Sequence, residues 1–132
     1  MTPHGDLWIA GGTFDLENPM QSTELLEVDH KNHPDHWDHG PDLPEPSQGG
    51  CLININQCET AYIGGRTGSS STEDRIFIYN WHEKLWTQGP TLNTARSNHE
   101  CILLKDPEGE RWKIVIAGEF CISLNNASFG TF

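Results

Sequence analysis

Apolar and polar residues alternate along this chain in short runs separated by turn residues. From Cys51 to Asn56, an apolar set (Cys51, Ile53, Ile55) interleaves with a set containing two Asn, which predicts a strand with one buried face. Asn56-Gln57-Cys58-Glu59 is a polar hairpin turn. Thr60 to Ile63 is the next strand, ending at Gly64-Gly65. Arg75 to Tyr79 is a third, β-branched and aromatic. Asn80 to Lys84 turns the chain, Leu85 to Thr87 is a short fourth strand, and Gly89-Pro90 ends it. No helical periodicity competes, so the expected fold class is all-β, built from short antiparallel strands.

The same landmarks recur. Leu7-Trp8-Ile9-Ala10-Gly11-Gly12 is matched by Ala61-Tyr62-Ile63-Gly64-Gly65 and again by Lys113-Ile114-Val115-Ile116-Ala117-Gly118-Glu119. Gly11 and Gly64 are 53 residues apart, and Gly64 and Gly118 are 54 apart. Trp37 and Trp86, each before a Gly-Pro pair, are 49 apart. Ser47 to Ile53 aligns with Ser97 to Leu103, placing Cys51 opposite Cys101. Four strands in a period of about 50 residues is the arithmetic of a propeller blade. Paired glycines suit a strand end that needs positive φ or close backbone approach, and tryptophan supplies area to fill the space between sheets.

These landmarks resemble the Kelch repeat: an apolar first strand, a second ending in Gly-Gly, then a Tyr, then a Trp. Here Gly64, Gly65, Tyr79 and Trp86 carry that order, with Gly11, Gly12, Trp37 and Gly118 as counterparts, and the likeness covers about residues 7 to 120. Arg96 resembles the Arg that leads a Kelch unit. There are departures: Val28 stands where the first copy's Tyr is expected, Glu119 replaces a second Gly, and Pro44-Glu45-Pro46 brings no Arg into the second copy. The resemblance implies antiparallel four-stranded blades in an incomplete β-propeller. Residues 7–43 would give strands two to four of one blade, 47–92 a whole blade, and 97–120 strands one and two of another; 121–132 are unassigned. A propeller closes with about four to eight blades. The chain is therefore expected to be part of a longer Kelch protein, the alternatives being self-association that covers its open edges and apolar faces, or a poorly folded product.

Composition narrows the function. The 132 residues carry a net charge of −11, which repels phosphate backbones and anionic lipid, so neither nucleic acid nor membrane is an expected partner. No stretch of 18 apolar residues occurs and the N-terminus lacks a signal-like apolar run, so a cytoplasmic location is expected, or secretion if a signal peptide lies outside this piece. The four Cys form no CxxC. Cys51 and Cys101 read as core thiols, since equivalent places in neighbouring copies are expected to lie beyond disulfide reach. His30, His33, His36 and His39 recur every three residues, a pattern that suits zinc, nickel or copper or else a solvated loop; Pro34 argues against a helix that would align them. The reading is a solvated loop, with neither metal nor other cofactor expected. Gly64 to Thr72 lacks the lysine of a phosphate-binding loop and precedes a strand, so it reads as flexible connection. Asn126-Ala127-Ser128 is a glycosylation triplet of a kind that chance often supplies.

The Kelch resemblance implies a protein-binding module whose loops, held by rigid strands, carry the contacts. Those loops are Phe14 to Thr23, Pro44 to Gly50, Arg66 to Asp74 and Asn93 to His99. Arg66, Arg96, Ser97 and Asn98 are the candidate contact residues, read as loop tips, with tying of adjacent blades as the alternative role for Arg96. Many Kelch proteins are ubiquitin-ligase substrate adaptors, a role expected only of a longer parent with a BTB domain. The competing class is a Kelch-fold enzyme acting on carbohydrate, similar to galactose oxidase or a sialic-acid epimerase. No catalytic constellation can be placed, so the chain is not expected to be an enzyme.

Overall fold

The computed structural model of the chain describes residues 1–28, 36–105 and 112–118. All the regular structure there is β, in antiparallel sheets without helices. The first sheet holds β1 (Leu7–Ala10), β2 (Thr23–Leu26) and β3 (Asp38–His39). The second holds β4 (Cys51–Asn54), β5 (Glu59–Ile63), β6 (Ile76–Asn80) and β7 (Leu85–Gln88), in sequence order. The third holds β8 (Glu100–Lys105) and β9 (Trp112–Ala117).

The alternation of the sequence decides which sheets touch. In the second sheet, Cys51 pairs with Ile63 and Ile53 with Ala61, while Ile78 and Ile76 lie beside them on β6. This face packs on the third sheet, where Cys101 pairs with Ile116 and Leu103 with Ile114. The buried centre of that junction is Ala61, Ile63, Leu92 and Ile116. The opposite face of the second sheet carries Thr60, Tyr79 and Trp86 in one cross-strand row. It meets the first sheet through Trp8, whose ring lies 5.9 Å from both Tyr79 and Trp86 and 4.9 Å from Trp81. Edge and tilted contacts of this kind add to what area burial alone supplies.

Both junctions share a backbone link. The Gly12 N–H donates to the Ser47 carbonyl at 2.9 Å, and the Gly65 N–H donates to the Arg96 carbonyl at 2.8 Å. Ser47 therefore holds in the second sheet the place Arg96 holds in the third. Gly49 (φ 68°) and Asn98 (φ 52°) then also correspond, and both are left-handed. This corrects the sequence alignment by one residue: Cys51 corresponds to Glu100, and Leu52 to Cys101. A slip of one residue moves a side chain to the other face of its strand. The two Cys thus point toward each other across the junction. They are joined as a disulfide with Cα atoms 6.1 Å apart, against the expectation of two separate core thiols. The first sheet carries a second correction. Ala10 pairs with Thr23 as Ile63 pairs with Ile76, so Leu26, and not Val28, stands where Tyr79 stands in the second sheet.

Candidate functional site

The four connections expected to share a face come together at one end of the sheets. Met20 bridges to Ser47, and Gln48 to Arg66. The Arg96 N–H donates to the Glu73 carbonyl, and the Asn98 N–H to the Gly49 carbonyl. Each loop is thus hydrogen-bonded to a neighbour. Arg75 adds a charged tie, donating from Nε and Nη2 to Glu73 and pairing through Nη2 with Glu45 at 2.7 Å. Those carboxylates hold the guanidinium more firmly protonated than usual, the Glu73 hydrogen bond most of all.

The candidate contact residues divide. Arg66 is half-buried and Asn98 exposed, so both are open to a partner. Arg96 is only 5% exposed and Ser97 0%, so neither is a loop tip. Arg96 reaches the Gly118 carbonyl with Nη1 at 3.5 Å while its own carbonyl accepts from Gly65, which joins the second sheet to the third. Its structural role is to tie sheets together. Beside it, His99 is buried, and neither ring nitrogen makes a hydrogen bond of ordinary geometry. Burial first, and the Arg96 charge second, lower the His99 pKa; the nearby Ile63 carbonyl opposes that only in part. The aromatic landmarks also divide. Tyr79 is buried against Trp8, whereas Trp37, which matches Trp86, is exposed.

Sequence reasoning did not single out the most prominent feature of this end. The β1–β2 connection carries Phe14, 89% exposed, and Leu16, 71% exposed. Between them Asp15 folds the loop on itself. Its carboxylate accepts the N–H groups of Glu17 and Asn18, the Asn18 side-chain amide at 2.6 Å and the Thr13 hydroxyl. These bonds, the Asn18 amide foremost, lower the Asp15 pKa to about 2. Leu16 is left-handed at φ 67°, an uncommon state for a bulky side chain, and its carbonyl accepts from Gln48 Nε2 at 3.2 Å. The sequence signal was present: two large apolar residues inside a turn otherwise made of Gly, Thr, Asp, Glu and Asn.

His36 and His39 are exposed and lie near Asp38 and Asp42, at 3.3 and 3.4 Å. Among the described residues no group of three or more His, Cys, Asp or Glu is placed to hold a metal. His30, His33, the glycosylation triplet and residues 121–132 lie outside the described residues. No described helix is long and apolar enough to cross a membrane. No family model matches the chain, and no curated protein shows a significant match to it.

Proposed function

We propose that the three sheets are Kelch-type propeller blades and that the chain is a protein-binding module, not an enzyme. The blade reading is supported by the repeated link from the second glycine to the next sheet's lead-in carbonyl, and by aromatic packing between the first and second sheets. The binding reading rests on one observation: Phe14 and Leu16 stand in solvent on a loop held by Asp15 and Gln48. Exposed apolar anchors on a preorganised loop lose little entropy on docking, and such anchors dominate interface energies. The partner fits if it offers an apolar pocket with basic groups at its rim, because Asp15 lies between the anchors, Glu17 follows them and the chain is acidic.

The test is quantitative affinity capture from source-cell extract with the wild-type chain, a Phe14→Ser/Leu16→Ser variant and a Leu85→Ser control. Leu85 is also exposed but lies on the outer strand β7. A partner retained by the wild type and the control but depleted about tenfold by the loop variant, a loss of about 1.4 kcal/mol, supports the reading. Identical capture by all three chains contradicts it.

A further inference from the structure

The connection between β5 and β6 holds chemistry that the anchors Phe14 and Leu16 do not use. Its tip sets four hydroxyls in a row, Ser69, Ser70, Ser71 and Thr72, all exposed, with Glu73 and Asp74 directly after them. The neck of the loop is ordered by backbone contacts. Arg66 bridges to Thr72 on one side and to Gln48 on the other, and the Thr67 N–H donates to the Ser71 carbonyl at 3.1 Å. Residues opposite each other in an antiparallel bridge share a face, with Cβ atoms about 5 Å apart. Thr72 and Arg66 are therefore neighbours on one face. Thr67 and Glu73 hydrogen-bond to each other instead, and Glu73 also holds Arg75. Among the described residues, neither the Arg66 guanidinium nor the Thr72 hydroxyl makes a hydrogen bond or ion pair. At the same end of the sheets, Arg75 has two carboxylates and Arg96 has the Gly118 carbonyl. In a chain with a net charge of −11, Arg66 is thus a cation standing without an anion.

We propose that Thr72 is a phosphorylation site whose phosphate pairs with Arg66. Thr72 differs from the three serines before it in standing opposite a cation. Glu73 and Asp74, which follow it, suit the basic substrate groove of an acid-directed protein kinase, with ATP as the donor. The Thr72 hydroxyl oxygen attacks the γ-phosphorus and forms the new O–P bond. The bond from that phosphorus to the β,γ-bridging oxygen breaks, ADP leaves, and the hydroxyl proton passes to the kinase's catalytic base. The product carries a charge of about −1.5 to −2 near neutral pH and three acceptor oxygens, which a guanidinium fork can meet in pairs. The consequence for binding rests on the protein-binding reading above. Gln48, on the other side of Arg66, donates Nε2 to the Leu16 carbonyl at 3.2 Å. Phosphate on Thr72 therefore fixes the row Gln48, Arg66, Thr72 beside the anchor loop, and adds negative charge to an end of the sheets that already presents Asp15 and Glu17. A partner with basic groups around its apolar pocket then binds more tightly.

Three measurements test this. Phosphosite mapping of the protein from its source cells is expected to find phosphate on Thr72; a Thr72 peptide recovered only without phosphate, or with phosphate only on Ser69 to Ser71, overturns the site. Phosphorus NMR then follows the titration of the full chain made with phosphothreonine encoded at position 72. Its midpoint is expected about half a pH unit lower than in the same chain carrying Arg66→Gln, with Arg66→Lys between the two. Equal midpoints in all three overturn the pairing, and near-ultraviolet circular dichroism of the tryptophan cluster establishes that each chain is folded. Last, the phosphorylated chain is expected to hold the Phe14- and Leu16-dependent partner about threefold more tightly than the unmodified chain. Equal affinity overturns the effect on binding. Absence of any such partner refutes the loop reading and the effect on binding with it, and leaves the site and its pairing with Arg66 to stand or fall on the first two measurements.

Discussion

The indole N–H of Trp86 donates to the carbonyl of Asp42 at 2.8 Å, across 44 residues and the junction between the first two sheets. The ring stacks at a tilt on Tyr79 and lies 5.9 Å from Trp8, so one side chain joins a polar tie to an aromatic contact. Trp86→Phe keeps most of the area and loses the donor. A cost of about 1 kcal/mol is expected in urea unfolding. Trp8→Ala empties the centre of the cluster and is expected to cost about 3–5 kcal/mol. Equal effects of the two substitutions would contradict this division.

Glycine is needed where a sheet meets the next lead-in. Gly64 has φ +61°, and a Cβ there would lie 2.5 Å from the Arg96 carbonyl oxygen. Gly11 has φ +66° and faces the Ser47 carbonyl in the same way. Both contacts are with backbone, which cannot swing aside. Gly64→Ala is expected to destabilise by about 2 kcal/mol or more from left-handed strain and overpacking together. Gly68→Ala, in open space without positive φ, is expected to stay within about 0.5 kcal/mol of wild type. Thermal unfolding of the pair checks the contrast.

His99 makes stability depend on pH. Its folded pKa lies below the ordinary 6.5, so the unfolded chain takes up a proton more readily than the folded one. The neutral ring's contribution is complete above 6.5 and is lost as pH falls from there toward the folded value. His99→Gln is expected to flatten that fall. The informative quantity is the difference between wild type and variant in urea midpoints from pH 8 to pH 5, since protonated carboxylates ease the chain's acidic repulsion in both. Parallel curves would contradict the assignment.

Asp15 holds the apolar anchors in place. With a pKa near 2, it stays ionised and keeps its bonds to the Glu17 and Asn18 amides through the physiological range. Asp15→Ala is expected to speed hydrogen exchange at those two amides and to weaken partner capture, although Phe14 and Leu16 are untouched. Unchanged exchange at both amides would show that the loop is held by something else.

Much of this architecture was legible in the sequence, because period-2 alternation and turn residues are local signals. The strands around Cys51 to Thr87 lie where alternation placed them, to within a residue or two. The alignment between copies was not legible to one residue. Ser47-x-x-x-Cys51 and Ser97-x-x-x-Cys101 match letter for letter at a spacing of 50. The correspondence that the backbone enforces is instead Ser47 with Arg96, set by carbonyl positions that no side chain reveals. That slip hid the Cys51–Cys101 contact. Arg96 and Ser97 are not loop tips for a related reason: polar residues in a loop signal exposure, yet this loop is the seam between two sheets, where Arg96 takes the tying position that was its alternative reading. Phe14 and Leu16 were missed because an apolar residue in a turn carries no periodicity.

The central claim is that the second and third sheets stand side by side with their first strands adjacent and offset by one residue. The most direct test is to treat the purified chain with oxidised glutathione and map the cross-linked peptides by mass spectrometry without reduction. The account predicts a Cys51–Cys101 link, with Cys58, which is free and exposed in the structure, outside it. A link through Cys58, or Cys51 and Cys101 both remaining free, would contradict the arrangement of the sheets.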